Sequence, residues 1–298
     1  MPVEEPTRVE QLVERIWPGR EARVELLGGG ITNHNFKVAL DDGSYVLRIG
    51  GRHTDLLGID RLAEHEASLA AAAVGVGPEV IAFVEPEGCL VTRFIEGSIV
   101  PLEALSGPEA IRRVAQSLRA VHAGPPIRSR FDSFRVVESY RSVAAAHGIG
   151  TPAAYDEATR VAARVARARG PVPERPCHND LLNANFIDDG RRIRIVDWEY
   201  AGMGDVFFDL ANFAINHELT DEGVGELLRA YFGVLRPEHE RNLNLLRFMS
   251  DFREAMWGVV QQAVSELDFD FAAYAQRHFD RLARTAEDPA FRRAVEHA

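Results

Sequence analysis

The chain has 298 residues, of which 46% are hydrophobic, so it can bury a full core as one large domain or as two lobes. Its formal net charge of -11 at pH 7 argues against a nucleic-acid-binding face, which would be basic, and agrees with a cationic small substrate. No membrane role is indicated, because residues 1–5 are acidic and lack the features of a secretory signal and the most apolar stretch, residues 67–76, is too short to span a bilayer. The two cysteines have neither metal nor disulfide spacing, so we expect a cytoplasmic protein.

The first third of the chain predicts a small lobe over residues 1–96. A helical pattern is followed by strand-like runs, and Asp41-Asp42-Gly43 between two of them is a hairpin turn signal. Asp60 is placed to cap a helix that Gly77-Pro78 follows. The predicted elements are helices 9–17 and 61–73 and strands 23–27, 35–40, 44–49, 80–85 and 89–94. We therefore expect a five-stranded antiparallel sheet packed with one helix.

Residues 97–298 predict a larger and mainly helical lobe. Only the segment around residues 177–196 has strand-like character there. The predicted helices span residues 108–122, 134–147, 155–168, 207–217, 224–231, 242–264 and 271–285. The fold class is therefore α+β, with a linker near Glu96-Gly97.

The most informative segment begins at Cys177 and reads C-H-N-D-L-L-N-A-N-F, followed further on by I-V-D-W-E-Y-A-G. Asp180, Asn185 and Asp197 have the spacing of a base and two magnesium ligands in a kinase. Phosphoryl transfer needs a carboxylate beside the attacking hydroxyl and oxygen ligands for a hard cation. A chance H-x-D match or a helix-capping aspartate is the alternative, but a second aspartate directly after an apolar run favours the kinase interpretation. For His178 we expect a structural role in bracing this loop and Asp197.

Residues on the small lobe have the types and positions of a nucleotide site. The glycine run 28–30 lies between two strands, where bare amides can approach phosphates, although a flexible hairpin loop is the alternative. Arg48 ends the third strand, where a kinase has its phosphate-binding lysine, and Lys37 is the only lysine of this chain. Glu64 on the following helix is the expected ion-pair partner of Arg48, with a solvated helix face as the alternative.

A late constellation combines acidic and aromatic residues on two consecutive helices. It includes Glu254, Trp257, Phe271 and Tyr274. An aromatic cluster near carboxylates is how proteins hold alkylammonium ions, although such a cluster is also common in cores.

Together these motifs resemble the choline and ethanolamine kinases, which belong with the aminoglycoside phosphotransferases in the protein-kinase-like fold. The resemblance runs from Leu26 to about Leu282 and is most specific in the loop 29–33, in the catalytic segment with residues 197–201 and 208–212, and in residues 257–274. It implies a two-lobe kinase with ATP in the interlobe cleft and Mg²⁺ bound by Asn185 and Asp197. Asp180 would then be the catalytic base.

The resemblance also implies roles for the remaining candidate residues. Nucleotide contacts would come from Gly29, Gly30, Thr32, Asn33, Arg48, Glu64 and the hinge residues Thr92 and Phe94. The acceptor site would be formed by Glu199, Glu254, Trp257, Phe271 and Tyr274. Choline kinases commonly have Trp-x-x-Trp where this chain has Glu254-Ala-Met-Trp257, and a carboxylate favours ammonium groups that donate hydrogen bonds.

The expected activity is therefore ATP- and Mg-dependent phosphorylation of the hydroxyl of a cationic amino alcohol similar to choline or ethanolamine. Two alternatives stay open: a kinase of the same fold that acts on an aminoglycoside, thiamine or another small molecule, and a non-catalytic relative that binds a ligand.

Overall fold

The structure, a computed structural model, describes residues 5–28 and 33–296, without the side chains of residues 5–7. The chain forms two compact units. The first contains the described residues up to Arg52 together with Glu79–Phe94, and the second contains His53–Pro78 and the chain from Ile95 onward.

The first unit is built on a five-stranded antiparallel sheet in the order β1-β2-β3-β5-β4. Its strands are β1 (Arg23–Leu27), β2 (Asn33–Leu40), β3 (Gly43–Gly50), β4 (Val80–Val84) and β5 (Cys89–Arg93), and helix α1 (Glu5–Ile16) precedes them. The five predicted strands are confirmed. Alternate residues of β3 are buried, as expected of a strand with one face on a core. Apolar residues of α1 and of the sheet form this core: Val9, Leu12, Val13, Val38, Leu47 and Val91.

Helix α2 (Arg61–Ala73) forms as predicted, and the Asp60 side chain caps it by accepting from the N–H groups of Leu62 and Ala63. We had included this helix in a lobe that ends at residue 96, whereas residues 53–78 belong to the second unit. The physical reason is packing, since Ala67 and Ala71 are buried in the main core of the second unit. The sequence shows the apolar face of a helix but not which core covers it.

The rest of the second unit is mainly helical. Its helices are α3 (Leu102–Leu105), α4 (Pro108–His122), α5 (Ser133–Ala146), α6 (Tyr155–Arg169), α7 (Val206–Asn216), α8 (Asp221–Phe232), α9 (Pro237–Val264), α10 (Phe271–Glu287) and α11 (Pro289–Glu296). Its strands are β6 (Ser98–Ile99), β7 (Arg175–Cys177), β8 (Phe186–Asp188), β9 (Ile193–Ile195) and β10 (Gly202–Gly204), arranged as β6-β8-β9 and β10-β7. The seven predicted helices are confirmed, whereas α3 and α11 were not predicted.

Helix α9 is the central helix of this unit, and it packs against α5, α7 and α10. Pro237 occupies its first turn, where a missing N–H group is tolerated. Its middle is buried around most of its circumference, so charged residues there have to find partners inside the protein. None of the helices in the described part of the chain is both long and apolar enough to cross a membrane.

Candidate active site

The catalytic segment leaves strand β7 at Cys177 and is held in an unusual backbone conformation. Asn179 and Asp197 both have positive φ angles, of 67° and 70°. Non-glycine residues in this region are uncommon and concentrate at functional sites, where the surrounding structure maintains the strain. The structure therefore marks the two stretches that carry Asp180 and Asp197 as locally constrained.

His178 connects these two stretches, which confirms the structural role predicted for it. Its Nδ1 accepts from the Asp180 N–H at 3.2 Å, and its Nε2 lies 2.9 Å from the Val196 carbonyl oxygen. Because a carbonyl oxygen only accepts, Nε2 carries the proton and the ring is in its neutral Nε2–H form. His178 thus positions the residues adjacent to Asp197.

Helix α7 supplies a second support, to which the sequence analysis gave no role. The Asp209 carboxylate accepts from the backbone N–H groups of His178 at 2.8 Å and Asn179 at 2.7 Å, and it lies 2.9 Å from His122 Nε2. Two residues further along the segment, the Leu181 N–H donates to the Asn212 amide oxygen at 2.6 Å. The motif F-D-L-A-N on α7 therefore fixes the backbone of the catalytic loop by accepting hydrogen bonds from its N–H groups.

These contacts also explain the ionisation of Asp209. Burial works to raise the pKa of Asp209, but the hydrogen bond from His122 and the backbone hydrogen bond from His178 oppose burial, and that pKa is lowered. The carboxylate and His122 also lie close to the Cys177 thiol, in a group whose possible ligand atoms are within 4.8 Å of one another. The loop N–H groups and His122 already use both carboxylate oxygens, so hydrogen bonding accounts for this arrangement.

Hydrogen bonds connect Asp180 to Asn185 and Asn185 to the residue before Asp197. Asn185 Nδ2 donates to the Asp180 carbonyl oxygen at 2.8 Å, and the Val196 N–H, directly before Asp197, donates to the Asn185 carbonyl oxygen at 3.0 Å. The first bond fixes the orientation of the Asn185 amide and leaves its oxygen as the group suited to a cation. The structure thus brings Asp180, Asn185 and the start of the Asp197 stretch together.

Asp180 lies in a buried environment that changes its acidity. Burial is the largest effect and raises the pKa of Asp180; Arg253 opposes it, Glu254, Asp197 and Glu199 act with it, and the resulting pKa is about 7. Arg253 Nη1 donates to Asp180 Oδ1 at 3.1 Å. A carboxylate with a pKa near neutrality is well matched to proton transfer at physiological pH.

The residues predicted for the acceptor site also come together. Trp257 lies edge-on to Phe271 and Tyr274, with ring centroids 5.9 Å and 5.6 Å away. The Tyr274 hydroxyl donates to Glu254 Oε2 at 2.8 Å, and Trp257 Nε1 donates to the Tyr200 hydroxyl at 3.0 Å. We call the set Tyr200, Arg253, Glu254, Trp257, Phe271 and Tyr274 the aromatic cluster.

The carboxylates around the aromatic cluster have charged partners that the sequence analysis did not identify. Arg253 Nη1 donates to Glu254 as well as to Asp180. Although burial works to raise the pKa of Glu254, Arg253, His278 and the Tyr274 hydroxyl lower it, so Glu254 is held ionised. Arg61, at the start of helix α2, is the second charged partner: its Nη1 atom lies 2.7 Å from Glu64 and 3.3 Å from Glu199.

Both arginines could be missed for understandable reasons. Arg61 lies three residues before Glu64 on one helix face, a spacing visible in the sequence, but Glu199 is far away along the chain. Arg253 stands in the motif D-F-R-E, yet its partner Asp180 is 73 residues away.

The nucleotide-side predictions fall partly outside the described residues. Gly29, Gly30 and Thr32 lie in the undescribed segment, and Asn33 is buried at the start of β2. In the first unit Arg48 Nε donates to Asn35 Oδ1 at 3.3 Å. The ion pair between Arg48 and Glu64 would join the two units, so it stays a prediction.

The two hinge candidates lie at the end of β5. Thr92 is paired with Val46 of β3, and the Phe94 N–H donates to the Ser44 carbonyl oxygen at 2.9 Å. Lys37 Nζ lies 3.9 Å from the centre of the Phe94 ring, a cation–π contact. An adenine contact at Phe94 would therefore use its carbonyl oxygen or its ring, because its N–H group is already bonded.

Comparisons with known proteins agree with this geometry. A model of a phosphotransferase enzyme family matches residues 23–245. The chain is 25% identical over 272 residues to protein LicA of Haemophilus influenzae, covering 87% of this chain and 79% of that protein. It is 25% identical over 309 residues to ethanolamine kinase 1 of Mus musculus, covering 89% of this chain and 84% of that protein.

Among solved structures, a choline/ethanolamine kinase family protein from Mesorhizobium loti superposes with a TM-score of 0.85. It is 32% identical and the match covers 99% of this chain and 98% of that one. The predicted α+β, protein-kinase-like fold is confirmed.

Proposed function

We propose, because this chain belongs to the choline/ethanolamine kinases of the phosphotransferase enzyme family, that it transfers the γ-phosphoryl group of ATP to the hydroxyl of a small amino alcohol. The observation that carries this proposal is the direct connection between base and acceptor cluster: one nitrogen of Arg253 bonds both Asp180 and Glu254. An acceptor held by the aromatic cluster would thus have its hydroxyl beside Asp180.

In this reaction Asp180 accepts the proton of the acceptor hydroxyl. The hydroxyl oxygen then forms a bond to the γ-phosphorus while the bond from that phosphorus to the bridging oxygen of ADP breaks, and the products are a phosphomonoester and ADP. A pKa of about 7 lets Asp180 be largely ionised above neutrality and still basic enough to take the proton. Asp209, Asn212 and His178 contribute by holding the loop in place.

The residues near Asp180 fit Mg²⁺. Asn185 offers an amide oxygen whose orientation is fixed by the bond of its nitrogen to the Asp180 carbonyl, and Asp197 offers a carboxylate. Amide and carboxylate oxygens are the hard ligands that Mg²⁺ prefers, and we propose that these two residues hold it. When bound, the ion would neutralise negative charge on the phosphates.

The remaining site residues enter the proposal with roles that follow from their chemistry. We assign Gly29, Gly30, Thr32, Asn33, Arg48, Glu64, Thr92 and Phe94 to the nucleotide. Glu199 and Glu254 provide negative charge for the ammonium of the acceptor, while Trp257, Phe271 and Tyr274 provide aromatic surface. Cys89 and Cys177 are buried thiols, which agrees with the reducing cytoplasm in which we place the protein.

A phosphate-transfer screen tests the proposal. Purified protein would be incubated with Mg-ATP and one acceptor at a time, namely ethanolamine, choline, thiamine or an aminoglycoside. Formation of the phosphomonoester would be followed by ³¹P NMR, with ADP release as a second signal. We expect acceptor-dependent transfer with an amino alcohol.

Three results would contradict the proposal. Transfer to the aminoglycoside or to thiamine alone would show a kinase of the same fold with another acceptor. Thermal stabilisation by Mg-ATP without transfer to any acceptor would indicate a non-catalytic relative, because ligand binding alone raises the stability of the fold. ATP hydrolysis with no dependence on an acceptor would exclude an acceptor kinase.

A further inference from the structure

Arg253 is fully buried, and only part of its guanidinium group is used. The side chain is 1% exposed, and its Nη1 alone contacts Asp180 and Glu254. Among residues 5–28 and 33–296, the buried Nε and Nη2 atoms have no hydrogen-bond partner. Three N–H groups of a permanently charged side chain therefore make no hydrogen bond within the described part of the chain.

Such an arrangement is unfavourable in a protein without a ligand. A buried donor that is left unpaired destabilises the folded state, and the cost is larger when the donor belongs to a charged group. The planar guanidinium has a fixed set of donors that suits a pair of oxygen atoms. The expected ligand group at Nε and Nη2 is therefore an oxygen acceptor.

The position of the guanidinium indicates which ligand supplies that oxygen. Arg253 lies over the Tyr200 ring, with its central carbon 4.4 Å from the ring centroid. The Tyr200 hydroxyl is bonded to Trp257, and Glu254 is bonded to Tyr274, so the guanidinium is part of the aromatic cluster. The guanidinium thus lies among the residues that we assign to the acceptor. The aromatic cluster contains none of the residues that we assign to the nucleotide.

The same position disfavours one class of acceptor. An aromatic ring attracts a cation to its face, and here a side-chain cation already occupies a place over Tyr200. A quaternary ammonium brought to that ring would meet a like charge and could offer no hydrogen bond in return.

We propose that Arg253 binds an oxygen atom of the acceptor through Nε and Nη2. The preferred acceptor is then an amino alcohol that carries, near the reacting hydroxyl, a second oxygen function such as a carboxylate or another hydroxyl. This inference rests on the proposed kinase function and makes Arg253 a residue that determines specificity.

The test compares matched pairs of acceptors that differ only in the additional oxygen function. Ethanolamine would be paired with serine, which adds a carboxylate, and with 3-amino-1,2-propanediol, which adds a hydroxymethyl group. The measurement is kcat/KM for each acceptor at saturating Mg-ATP. We expect at least one oxygen-bearing partner to exceed ethanolamine by tenfold or more, because a site built for a hydrogen bond discriminates against a ligand that lacks it.

Variants of Arg253 test whether this residue is the cause. Arg253→Lys keeps the positive charge between the two carboxylates but loses the planar set of donors, and Arg253→Gln removes the charge. Both lower overall activity because they touch Asp180, so the informative quantity is the ratio of kcat/KM within a pair. That ratio should fall towards one. Arg281→Lys is the control, since Arg281 is bonded to Asp251 outside the aromatic cluster and its replacement should leave the ratio unchanged.

The outcomes separate this inference from the proposed function. Transfer to ethanolamine with no preference for either oxygen-bearing acceptor overturns the inference and leaves the kinase in place, and this result needs only the wild-type protein. A preference that persists in both Arg253 variants also overturns it. Absence of transfer to any amino alcohol contradicts the proposed function itself.

Discussion

Two buried aspartates of the second unit have pKa values that are shifted in opposite directions. Asp180 lies in the catalytic segment, and Asp209 of helix α7 is bonded to that segment. Asp209 accepts hydrogen bonds from two loop N–H groups and contacts His122, and its pKa is lowered. Asp180 accepts from one nitrogen of Arg253, and burial together with three neighbouring carboxylates raises its pKa to about 7. Burial acts in the same direction on both, so the difference comes from the donors around each carboxylate.

The comparison distinguishes a structural carboxylate from a chemical one. Asp209 is ionised and fully hydrogen-bonded, which stabilises one conformation of the loop. Asp180 is held in a less favourable environment, which is typical of a group that exchanges a proton. Replacing each residue by its isosteric amide should therefore produce different combinations of lost activity and lost stability.

The largest expected effect is that of Asp180→Asn on turnover. The amide cannot accept the hydroxyl proton, so kcat should fall by about 10²- to 10⁴-fold. The melting temperature at pH 8 should be unchanged or higher. Folding raises the pKa of the Asp180 carboxyl group, so its ionised form is unfavourable in the folded protein, and the variant removes that charge. Single-turnover kinetics and thermal unfolding measure the two quantities.

The control for this prediction is Asp280→Asn on the exposed part of α10, where the carboxylate accepts from Gln276. That variant should keep its activity. If Asp180→Asn retained more than a tenth of the wild-type kcat, Asp180 would not be the base.

Asp209→Asn should lose stability and activity together. An amide has one oxygen, so its NH₂ group would face an N–H group of His178, Asn179 or His122 without a partner. The expected loss in the free energy of unfolding is roughly 1–3 kcal/mol for each buried group left unpaired. Urea unfolding and kcat, measured at a temperature where the variant remains folded, test this. Unchanged stability with reduced activity would assign Asp209 to the chemistry instead.

The sequence was sufficient to predict local features of the molecule. The five strands, seven of the helices and the Asp60 cap follow from patterns within a few residues, where hydrophobic periodicity and capping chemistry act. Asp180 and Asn185 are only five residues apart, and a hydrogen bond joins them. The start of α9 was predicted at residue 242 and lies at Pro237, since a polar first turn carries no periodic signal.

What the sequence could not show are the partners that tertiary packing brings together. Arg253 and Asp180 are 73 residues apart, and Asp209 contacts His122 across 87 residues. Glu64 is bonded to Arg61 three residues before it on the same helix, a partner that was not predicted. The choice among several charged residues as partners depends on positions that only the folded chain defines.

A pH titration sharpens the contrast between the two aspartates. In the free protein Asp180 should titrate near pH 7, whereas Asp209 should titrate below the ordinary range of an aspartate. ¹³C NMR of labelled aspartate carboxyl groups, with Asp180→Asn for assignment, would measure both.

The same shift has a defined sign for stability. Folding raises the pKa of Asp180 from the ordinary aspartate value of 3.8 to about 7, so folding favours the protonated form. This contribution to stability is fully present below the ordinary value and is lost as the pH rises through about 7. Asp209 acts oppositely, since its lowered pKa gives a contribution that is present above its unfolded pKa and is lost as the pH falls through the folded value.

Glu254→Gln should shift the titration of Asp180 to lower pH. The variant removes a neighbouring charge that raises the pKa of Asp180 and leaves Arg253, which lowers it, with one carboxylate fewer to neutralise. The acid limb of the profile of kcat against pH should move in the same direction. A limb that moved to higher pH would mean that Glu254 acts on Asp180 mainly by orienting Arg253.

The smallest expected effect concerns the packing of α9 on α10 and tests whether Tyr274 needs its position. A Cβ atom at Gly258 would lie 2.9 Å from Tyr274 Cδ1 and 3.2 Å from the Ala275 Cβ, closer than ordinary contact. Gly258→Ala should therefore displace Tyr274 and lower the free energy of unfolding by about 1–3 kcal/mol, the usual effect of overpacking. Because Tyr274 bonds Glu254, the KM for the acceptor should rise while the KM for ATP stays constant.

Gly223→Ala in α8 is the matched control. Its Cβ would have its nearest neighbour at an ordinary distance of 3.5 Å, and alanine stabilises a helix by up to roughly 1 kcal/mol relative to glycine. Equal changes in the two variants would show that the contact between Gly258 and Tyr274 does not define the acceptor site.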